Sequence, residues 1–395
     1  MANNTGFISL VLNNKIIGRI VDEAINLETW RLYKRSSVLT EVLPVKEVKR
    51  FDWKSLLFKE NAPIASLIAE GQEIPQIGFG KFEEIMAETS KIAAGYYYTA
   101  EMMKEMYQLL QDTDLMNIEM VSVKDADNKQ LSDLMDDNLM DVIFGSIKNL
   151  QKRVVDRLDA MSWEVLQTGR LTATSVDTNI GITAVDFLRV LDHGLFPAPL
   201  TATGNATSTL NRWSDHQNAN GLGNLYDISK KYRDINGMPP EKILMSIDAW
   251  NNLRQQKSTQ QAATAMLGSI GHLSNDRLKD VIRDTLISPR TEIEIIEDQY
   301  QIDDAAGNVT NVDFLNKDTI VLVCKNIGTR VVAPTMESVS NRPIEKGSVM
   351  PKAKPGIFID TRSREGYPVL DYSVAIMNAC PIVRDTRKLS AWRIN

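Results

Sequence analysis

The sequence has few of the residues from which metal centres and nucleophilic sites are built, with two cysteines and three histidines among 395 residues. The histidines are His193, His216 and His272, and no two of them stand at metal-ligand or catalytic spacing. Cys324 and Cys380 lie in apolar stretches without a Cys-x-x-Cys partner, which predicts buried free thiols. We therefore expect no catalytic residue, no metal site and no bound cofactor.

The common motifs of hydrolases and nucleotide-binding proteins are also absent. The chain contains no Gly-x-Ser-x-Gly, no Gly-x-x-x-x-Gly-Lys-Ser/Thr and no His-Glu-x-x-His. Gly221-Leu222-Gly223 begins like a dinucleotide-binding loop, but it lacks the third glycine and follows a polar stretch instead of a strand. The acidic pairs Asp136-Asp137 and Asp303-Asp304 are explained by a helix start and a hairpin turn. These features predict that the protein is not an enzyme.

The composition argues against a membrane protein and against a protein dedicated to coating DNA. The formal net charge is −6, the wrong sign for tight phosphate binding. No apolar run approaches the roughly twenty residues of a membrane span, and residues 1–12 lack the basic start of a signal peptide. We expect a protein that is made and kept in the cytoplasm.

One aromatic cluster could bind nucleic acid by stacking. Tyr96-Tyr97-Tyr98 follows Phe79 and Phe82 and is interleaved with Lys81 and Lys91. Acidic residues at positions 83, 84 and 88 would repel phosphate. The local charge therefore favours sheet packing or a contact between subunits.

A single amphipathic helix is predicted across residues 127–170. Its apolar residues recur three or four positions apart and form one stripe: Leu131, Leu134, Leu139, Val142, Ile143, Ile147, Leu150, Val154, Leu158, Met161, Val165 and Leu166. Gly169 is placed to end the helix in a left-handed conformation, and Gly145 indicates a bend or a close backbone contact. Such a helix would be about 60 Å long, roughly twice the diameter of a small domain. It is therefore too long for one compact core and is predicted to be a strut.

The rest of the chain divides into segments that differ in their pattern of apolar and polar residues. Residues 1–60 have short apolar clusters that bury little surface on their own, as in an arm. Residues 61–98 predict a long two-stranded excursion, which needs an external partner because isolated hairpins are marginal in water. A mixed α/β lobe is predicted at 172–341, with strands at 242–247, 292–297 and 319–324 and a helix capped by Asp248. Further strands are predicted at 357–359, 372–377 and 382–383.

Short motifs follow one another along the chain in a fixed order: Ala62-Pro63-Ile64-Ala65, Gly71-Gln72-Glu73-Ile74-Pro75, Trp163-Glu164-Val165-Leu166-Gln167-Thr168-Gly169, Leu225-Tyr226-Asp227-Ile228, Ala249-Trp250-Asn251-Asn252-Leu253, Pro355-Gly356-Ile357 and Ala379-Cys380-Pro381-Ile382-Val383. This series, from residue 55 to 390, resembles the major capsid proteins of tailed bacteriophages, in the lambda-type branch or protein E family. No single motif would be sufficient for the resemblance.

The resemblance implies an α+β fold of the tailed-phage major capsid type. Its parts would be an N-terminal arm at 1–60, an extended loop at 61–98, a peripheral domain with the spine helix at 99–171, an axial domain at 172–341, and C-terminal strands of the peripheral domain at 342–395. It also implies a structural virion protein that self-assembles, through a procapsid in the host cytoplasm, into hexamers and pentamers of an icosahedral capsid. The implied partners are copies of the chain, separate scaffold and portal proteins, an optional decoration protein, and packaged double-stranded DNA bound without sequence specificity.

Two other interpretations stay open. An encapsulin-type compartment would have the same broad fold and a protein cargo, and an α/β enzyme would use the lobe at 172–341, where the sequence offers no nucleophile and base pair. Some relatives crosslink a loop lysine to an asparagine, for which Lys81 and Lys91 are the candidates here. Gly78, Gly80 and Gly145 are the hinge candidates, because glycine tolerates large backbone changes.

Overall fold

The computed structural model describes residues 28–49, 52–58, 82–97, 104, 137–171, 185–186, 212–267, 273–286, 288–303, 309–335, 356–364 and 370–394. The helices with defined bounds in these ranges are α1 Ser37–Val42, α2 Asp137–Thr168, α3 Gly221–Asn236, α4 Ile247–Gln255, α5 Lys257–Leu267 and α6 Asn275–Thr285. The strands are β1 Val45–Glu47, β2 Asp52–Phe58, β3 Phe82–Glu88, β4 Ser90–Tyr97, β5 Arg170–Leu171, β6 Val185–Asp186, β7 Lys242–Ser246, β8 Glu292–Ile296, β9 Gln299–Asp303, β10 Val309–Asp313, β11 Thr319–Val323, β12 Gly328–Ala333, β13 Ile357–Arg364, β14 Leu370–Val383 and β15 Leu389–Arg393. The fold class is α+β, as the sequence predicted.

The long helix α2 confirms the predicted strut over its described part. Its 32 residues extend for about 48 Å at 1.5 Å per residue. The apolar stripe from Ile147 to Leu166 is buried. The helix ends where the sequence predicted, because Gly169 adopts a left-handed φ of 66° and its N–H donates to the Val165 carbonyl at 2.8 Å. The predicted first turns, residues 127–136, lie outside the described residues. Gly145 lies within the helix, and the predicted bend there is not tested.

The first of two main sheets, here called the platform sheet, is built around β14. This strand pairs with β4 on one side and with β13 and then β12 on the other, and β12 also pairs in parallel with β1. The helix α2 packs across β14 and β4. The two strands predicted at 372–377 and 382–383 are therefore one strand. Pro381 is accommodated because it lies beyond Ala379, the last residue of β14 that pairs with β4, so its missing N–H interrupts no ladder on that side among the described residues.

The second main sheet, here called the lobe sheet, has the strand order β15-β11-β7-β8. Strands β7 and β11 are buried along their whole length, which fits their continuous apolar sequences. Helix α4 follows β7 directly, and its N-cap is Ser246 and not Asp248 as predicted. The Ser246 hydroxyl accepts the Ala249 N–H at 3.1 Å, while Asp248 lies in the first turn.

The two sheets and α2 share one hydrophobic core, so the predicted segments are interleaved in space. Strand β12, from the segment 172–341, belongs to the platform sheet, and strand β15, from the segment 342–395, belongs to the lobe sheet. The division into arm, loop, peripheral and axial domains stays a prediction.

Candidate functional site

A two-stranded ribbon leaves the platform sheet where β4 begins. Strand β3 continues into β4 after Thr89, and β3 pairs antiparallel with β2 from Asp52 opposite Glu88 to Phe58 opposite Phe82. Among the described residues, β2 and β3 pair only with each other. The sequence predicted a two-stranded excursion, and the described part of it begins earlier than expected, because β2 lies in the segment assigned to the arm. The intervening residues 59–81 lie outside the described part of the chain.

The register of this ribbon places apolar residues on both of its faces. Residues opposite each other in an antiparallel pair share a face. By this register, the positions of Trp53, Leu57 and Ile85 share one face of the ladder, and those of Leu56 and Phe82 share the other. An isolated two-stranded ribbon is marginally stable at best. The ribbon therefore has the properties of an element that is stabilised by contact with another surface.

A second element, here called the strap, consists of residues 28–48. It contains a helical stretch at 28–33, helix α1 and strand β1. The Ser36 hydroxyl caps α1 by accepting the Leu39 N–H at 3.2 Å, and α1 buries Val38, Leu39 and Val42. The strap ends by pairing with β12, where the Val48 N–H donates to the Val332 carbonyl at 2.9 Å.

A buried charged cluster fixes the strap to α2 and to the platform sheet. The Arg330 side chain, 1% exposed, donates from Nη1 to Asp159 Oδ1 at 2.7 Å. Its other nitrogens donate to the Leu43 and Tyr33 carbonyls, each at 2.9 Å. Arg35 of the strap donates to the second oxygen of Asp159 at 2.7 Å. One carboxylate on α2 thus holds a guanidinium from β12 and one from the strap.

The two arginines of this cluster offset the effect of burial on the Asp159 carboxyl. Burial raises the pKa of the Asp159 carboxyl, and the neighbouring Arg330 and Arg35 oppose that shift. Arg35 also binds Asp156 at 2.5 Å, one turn earlier on α2. Two cations and two carboxylates are therefore matched, which is the condition under which charges are tolerated in an interior.

A second charged cluster joins the strap to the lobe sheet. Lys242 Nζ, on a side chain that is 2% exposed, lies 3.1 Å from Glu41, 3.2 Å from Glu292 and 3.2 Å from Glu294. Lys325 lies 3.1 Å from the same oxygen of Glu41. The ammonium groups of Lys325 and Lys242 beside Glu41 lower the pKa of its carboxyl. Burial opposes the charge on Lys242, but the three carboxylates outweigh it and raise the pKa of the ammonium.

The strap therefore bridges both sheets, and sequence reasoning missed this role. The backbone adds to the bridge, because the Asn326 N–H donates to the Glu41 carbonyl at 2.9 Å while Asn326 adopts a φ of 56°. A signal was present in the sequence, since Arg330 is a single charge inside an apolar strand and Lys242 begins another. Such a residue needs a buried partner, but the sequence does not identify which acid that is.

The residues that the sequence singled out for chemistry have structural roles where they are described. His216 Nε2 lies 3.0 Å from Asn252 Oδ1, so the imidazole binds a side chain of α4. His193 and His272 lie outside the described residues. Cys324 and Cys380 are buried free thiols, as predicted, and burial raises the pKa of the Cys324 thiol, which lies 3.2 Å from the Tyr232 hydroxyl.

The segment Gly221-Leu222-Gly223 forms the first turn of α3, and its N–H groups bind side chains of the chain itself. Gly223 donates to Asn220 Oδ1 at 3.0 Å, and Gly221 donates to Gln256 Oε1 at 2.7 Å. A Cβ on Gly221 would lie 2.4 Å from Leu253, so close packing accounts for this glycine. The N–H groups of Gly221 and Gly223 are therefore already bound within the chain, unlike those of a phosphate-binding loop.

The remaining candidates are only partly described. Asp137 begins α2 and Asp303 ends β9, while Asp136 and Asp304 lie outside the described residues. The backbone of Tyr96 and Tyr97 belongs to β4, which pairs with β14, and Lys91 of β4 is exposed. Five further candidates are outside the described residues: Gly78, Phe79, Gly80, Lys81 and Tyr98.

The described parts of the chain contain no cluster of three or more His, Cys, Asp or Glu side chains suited to hold a metal ion. In the same residues, no helix has both the length and the apolar character needed to cross a bilayer.

No protein-family model and no curated protein matches the chain. Solved structures do match it. A protein of a prophage of Escherichia coli CFT073, named as a capsid protein, is 14% identical with a TM-score of 0.47, over 90% of this chain and 92% of its own. A phage-related protein of Bordetella bronchiseptica RB50 is 12% identical with a TM-score of 0.48, over 94% and 97%. The procapsid of satellite phage P4, solved with its size determination protein, is 11% identical with a TM-score of 0.48, over 93% and 90%. Two of these three are named as capsid or procapsid structures.

Proposed function

We propose that the chain is a structural subunit of an icosahedral capsid of the tailed-phage type. In this proposal many copies self-assemble into hexamers and pentamers that form the shell of a virion and enclose double-stranded DNA. Assembly takes place in the host cytoplasm through a procapsid. The protein acts through its surfaces and catalyses no reaction.

The observation that carries the proposal is the ribbon of β2 and β3. It projects from a well-packed sheet, has apolar positions on both faces, and pairs with no other strand among the described residues. The free energy that stabilises such a ribbon comes from a second surface. In a shell, that surface is a neighbouring copy, and the extended loop of one subunit lies on the next.

The rigid body behind the ribbon also supports the proposal. Helix α2, the platform sheet and the lobe sheet share one core, and the strap fastens both sheets through two charged clusters. A shell subunit transmits force between neighbours, so a stiff body with projecting ribbons suits the role. The predicted arm, loop, peripheral and axial domains are part of this proposal.

The further partners are proposed from the same resemblance. Separate scaffold and portal proteins would guide assembly, a decoration protein could cover the outer surface, and packaged DNA would be enclosed without sequence-specific binding. The net charge of −6 suits a container that does not bind its DNA tightly.

A proline in the ribbon tests the proposal. Ile85→Pro removes one N–H from the centre of β3 and should break the ladder with β2, the strand with which β3 pairs among the described residues. We expect the wild type to form large particles in sedimentation velocity, and the variant to sediment as small species with an unchanged melting temperature. Asp248→Asn, a surface change on α4, is the control and should still form particles. Particles of normal size from Ile85→Pro would contradict the role given to the ribbon.

A further inference from the structure

A second projecting hairpin, formed by β9 and β10, is separate from the ribbon of β2 and β3. The two strands pair antiparallel from Gln299 opposite Asp313 to Asp303 opposite Val309. The ladder is continued at its base, where the Phe314 N–H donates to the Asp298 carbonyl at 3.2 Å. Five residues in each strand give a length of about 17 Å. The residues at the tip, 304–308, lie outside the described part of the chain.

The base of this hairpin is firmly held against the end of α2. Gln167 Nε2 donates to the Phe314 carbonyl at 2.7 Å, and Gln167 Oε1 accepts the Asn316 N–H at 2.8 Å. The rings of Tyr300 and Phe314 lie 5.0 Å apart, and the Arg35 guanidinium lies 5.9 Å from the Phe314 ring. The hairpin is therefore presented in a fixed direction, as a binding element needs to be.

The two faces of the hairpin differ. Tyr300, Ile302 and Val312 share one face and are half-buried, and Thr310 near the tip of the same face is exposed. Gln301 and Asn311 share the opposite face and are exposed. Val309 belongs to this second face and is 55% exposed, the largest value among the exposed large hydrophobic residues that the structure describes. The hairpin thus keeps one face toward its own subunit and turns the other outward.

The outer edge of β10 has no lysine and no proline, the residues that most often protect sheet edges. The strand reads Val-Thr-Asn-Val-Asp, with no lysine, arginine or proline, and its only charge is at the end nearest the base. That carboxylate, Asp313, accepts the Gln299 amide at 2.6 Å. Residues 309–311 are exposed, and β10 pairs only with β9 among the described residues. An unprotected edge offers backbone N–H and C=O groups, and the partner that satisfies them is another strand.

We propose that the edge of β10 pairs antiparallel with β10 of a second copy of this chain, around a two-fold axis at Asn311. This inference rests on the proposed function, because a shell brings many copies together, and it adds a homotypic contact that the ribbon of β2 and β3 does not supply. An isologous contact requires a self-complementary surface, and β10 is self-complementary in this register.

The register centred on Asn311 pairs all five residues of the strand, whereas any other centre pairs fewer. It places Thr310 opposite Val312 of the second copy, a pair of β-branched residues of the kind that stabilises sheets. It places Val309 opposite Asp313 of the second copy, so no like charges face each other. The two Asp313 carboxylates are then about 14 Å apart along the strands, beyond the screening length at physiological salt.

A single cysteine at the centre of the contact gives the sharpest test. Residues that face each other across antiparallel strands have Cα atoms about 4.5–5.5 Å apart, within the range that a disulfide can span. We expect Asn311→Cys in assembled full-length protein to form covalent dimers after mild oxidation with diamide, on gels run without reductant. Wild-type protein should remain monomeric on the same gel, because Cys324 and Cys380 are buried.

Gln301→Cys is the matched control. Gln301 lies directly opposite Asn311 within the hairpin, on the same exposed face, but on the other strand. We expect no dimer from it, since the proposed axis passes beside β10. A dimer from Gln301→Cys and none from Asn311→Cys would overturn the proposal, and equal crosslinking of both would show random collision and overturn it as well.

A charged variant provides a second measurement that does not depend on disulfide geometry. Asn311→Lys places two like charges at the axis and protects the edge, so particles should need at least a tenfold higher protein concentration to form. An unchanged assembly threshold would contradict the proposal. The outcomes also separate the two claims. Wild-type particles without an Asn311→Cys dimer refute the β10 contact alone, whereas the absence of any wild-type particle refutes the proposed function.

Discussion

Replacing Arg330 with methionine removes the centre of the buried cluster that fixes the strap to α2. The methionine side chain is unbranched and apolar, ends short of the guanidinium nitrogens, and has no hydrogen-bond donor. The Tyr33 and Leu43 carbonyls and one oxygen of Asp159 then lose a partner in a buried setting. The change therefore keeps the apolar stem of the side chain and removes the polar contacts.

The expected loss follows from these contacts. Removing one partner of a buried ion pair costs about 3–5 kcal/mol, because the remaining charge stays buried. Arg35 still donates to Asp159 at 2.7 Å and reduces that cost. Each of the two lost hydrogen bonds to a carbonyl adds about 1 kcal/mol. We expect the free energy of unfolding to fall by about 3–5 kcal/mol, a large part of the stability of a typical domain.

The assay is urea unfolding of the unassembled subunit, followed by tryptophan fluorescence. Asp248→Asn provides the comparison, because it breaks an exposed ion pair. Lys317 Nζ lies 3.5 Å from Asp248 Oδ2, and the Lys317 and Asp248 side chains are 66% and 47% exposed. Exposed pairs contribute less than about 1 kcal/mol. If Arg330→Met costs no more than Asp248→Asn, the cluster does not hold the strap to the body and the reasoning is wrong.

Four further changes test other parts of the structure. Ser246→Ala removes the N-cap of α4 and should lower the free energy of unfolding by about 1 kcal/mol, measured by urea titration. Gly328→Ala places a Cβ 2.0 Å from the backbone oxygen of Ile382, so the variant should fail to fold, and soluble expression at wild-type yield would contradict this. Because lysine partners lower the pKa of Glu41, the stabilisation by its carboxylate is present above the usual value of 4.5 and is lost as pH falls through the lower folded pKa. Glu41→Gln should therefore lose less stability than the wild type on acidification, measured by urea titration across this range. Burial raises the pKa of the Cys324 thiol, so this thiol should react with a disulfide reagent only after unfolding, and rapid reaction of the folded protein would contradict its burial.

The sequence predicted the elements whose signal is local. The apolar spacing along α2 and Gly169 at its end identified the helix, and continuous apolar runs identified β7 and β11. Where a prediction was wrong, a tertiary contact had changed the local preference. The sequence predicted separate strands at 372–377 and 382–383, but β14 continues through Pro381, where the side that pairs with β4 has no partner among the described residues.

The strap and its charged clusters could not be predicted because their contacts join distant parts of the chain. Arg330 and Asp159 are 171 residues apart, and each has many residues of opposite charge to choose from. The pairing becomes specific only when the strap, α2 and β12 meet in the folded core. The same holds for the interleaving of the sheets, because the sequence does not show that β15 returns to the lobe sheet.

Electron microscopy of the purified full-length protein, alone and co-expressed with its neighbouring genes, tests the central claim most directly. The account predicts closed isometric particles, with the ribbon of β2 and β3 of one copy lying on another copy, and nucleic acid in particles assembled with the packaging genes. Protein cargo in place of nucleic acid would indicate a compartment shell. A uniform monomer or small oligomer under every condition would contradict the account.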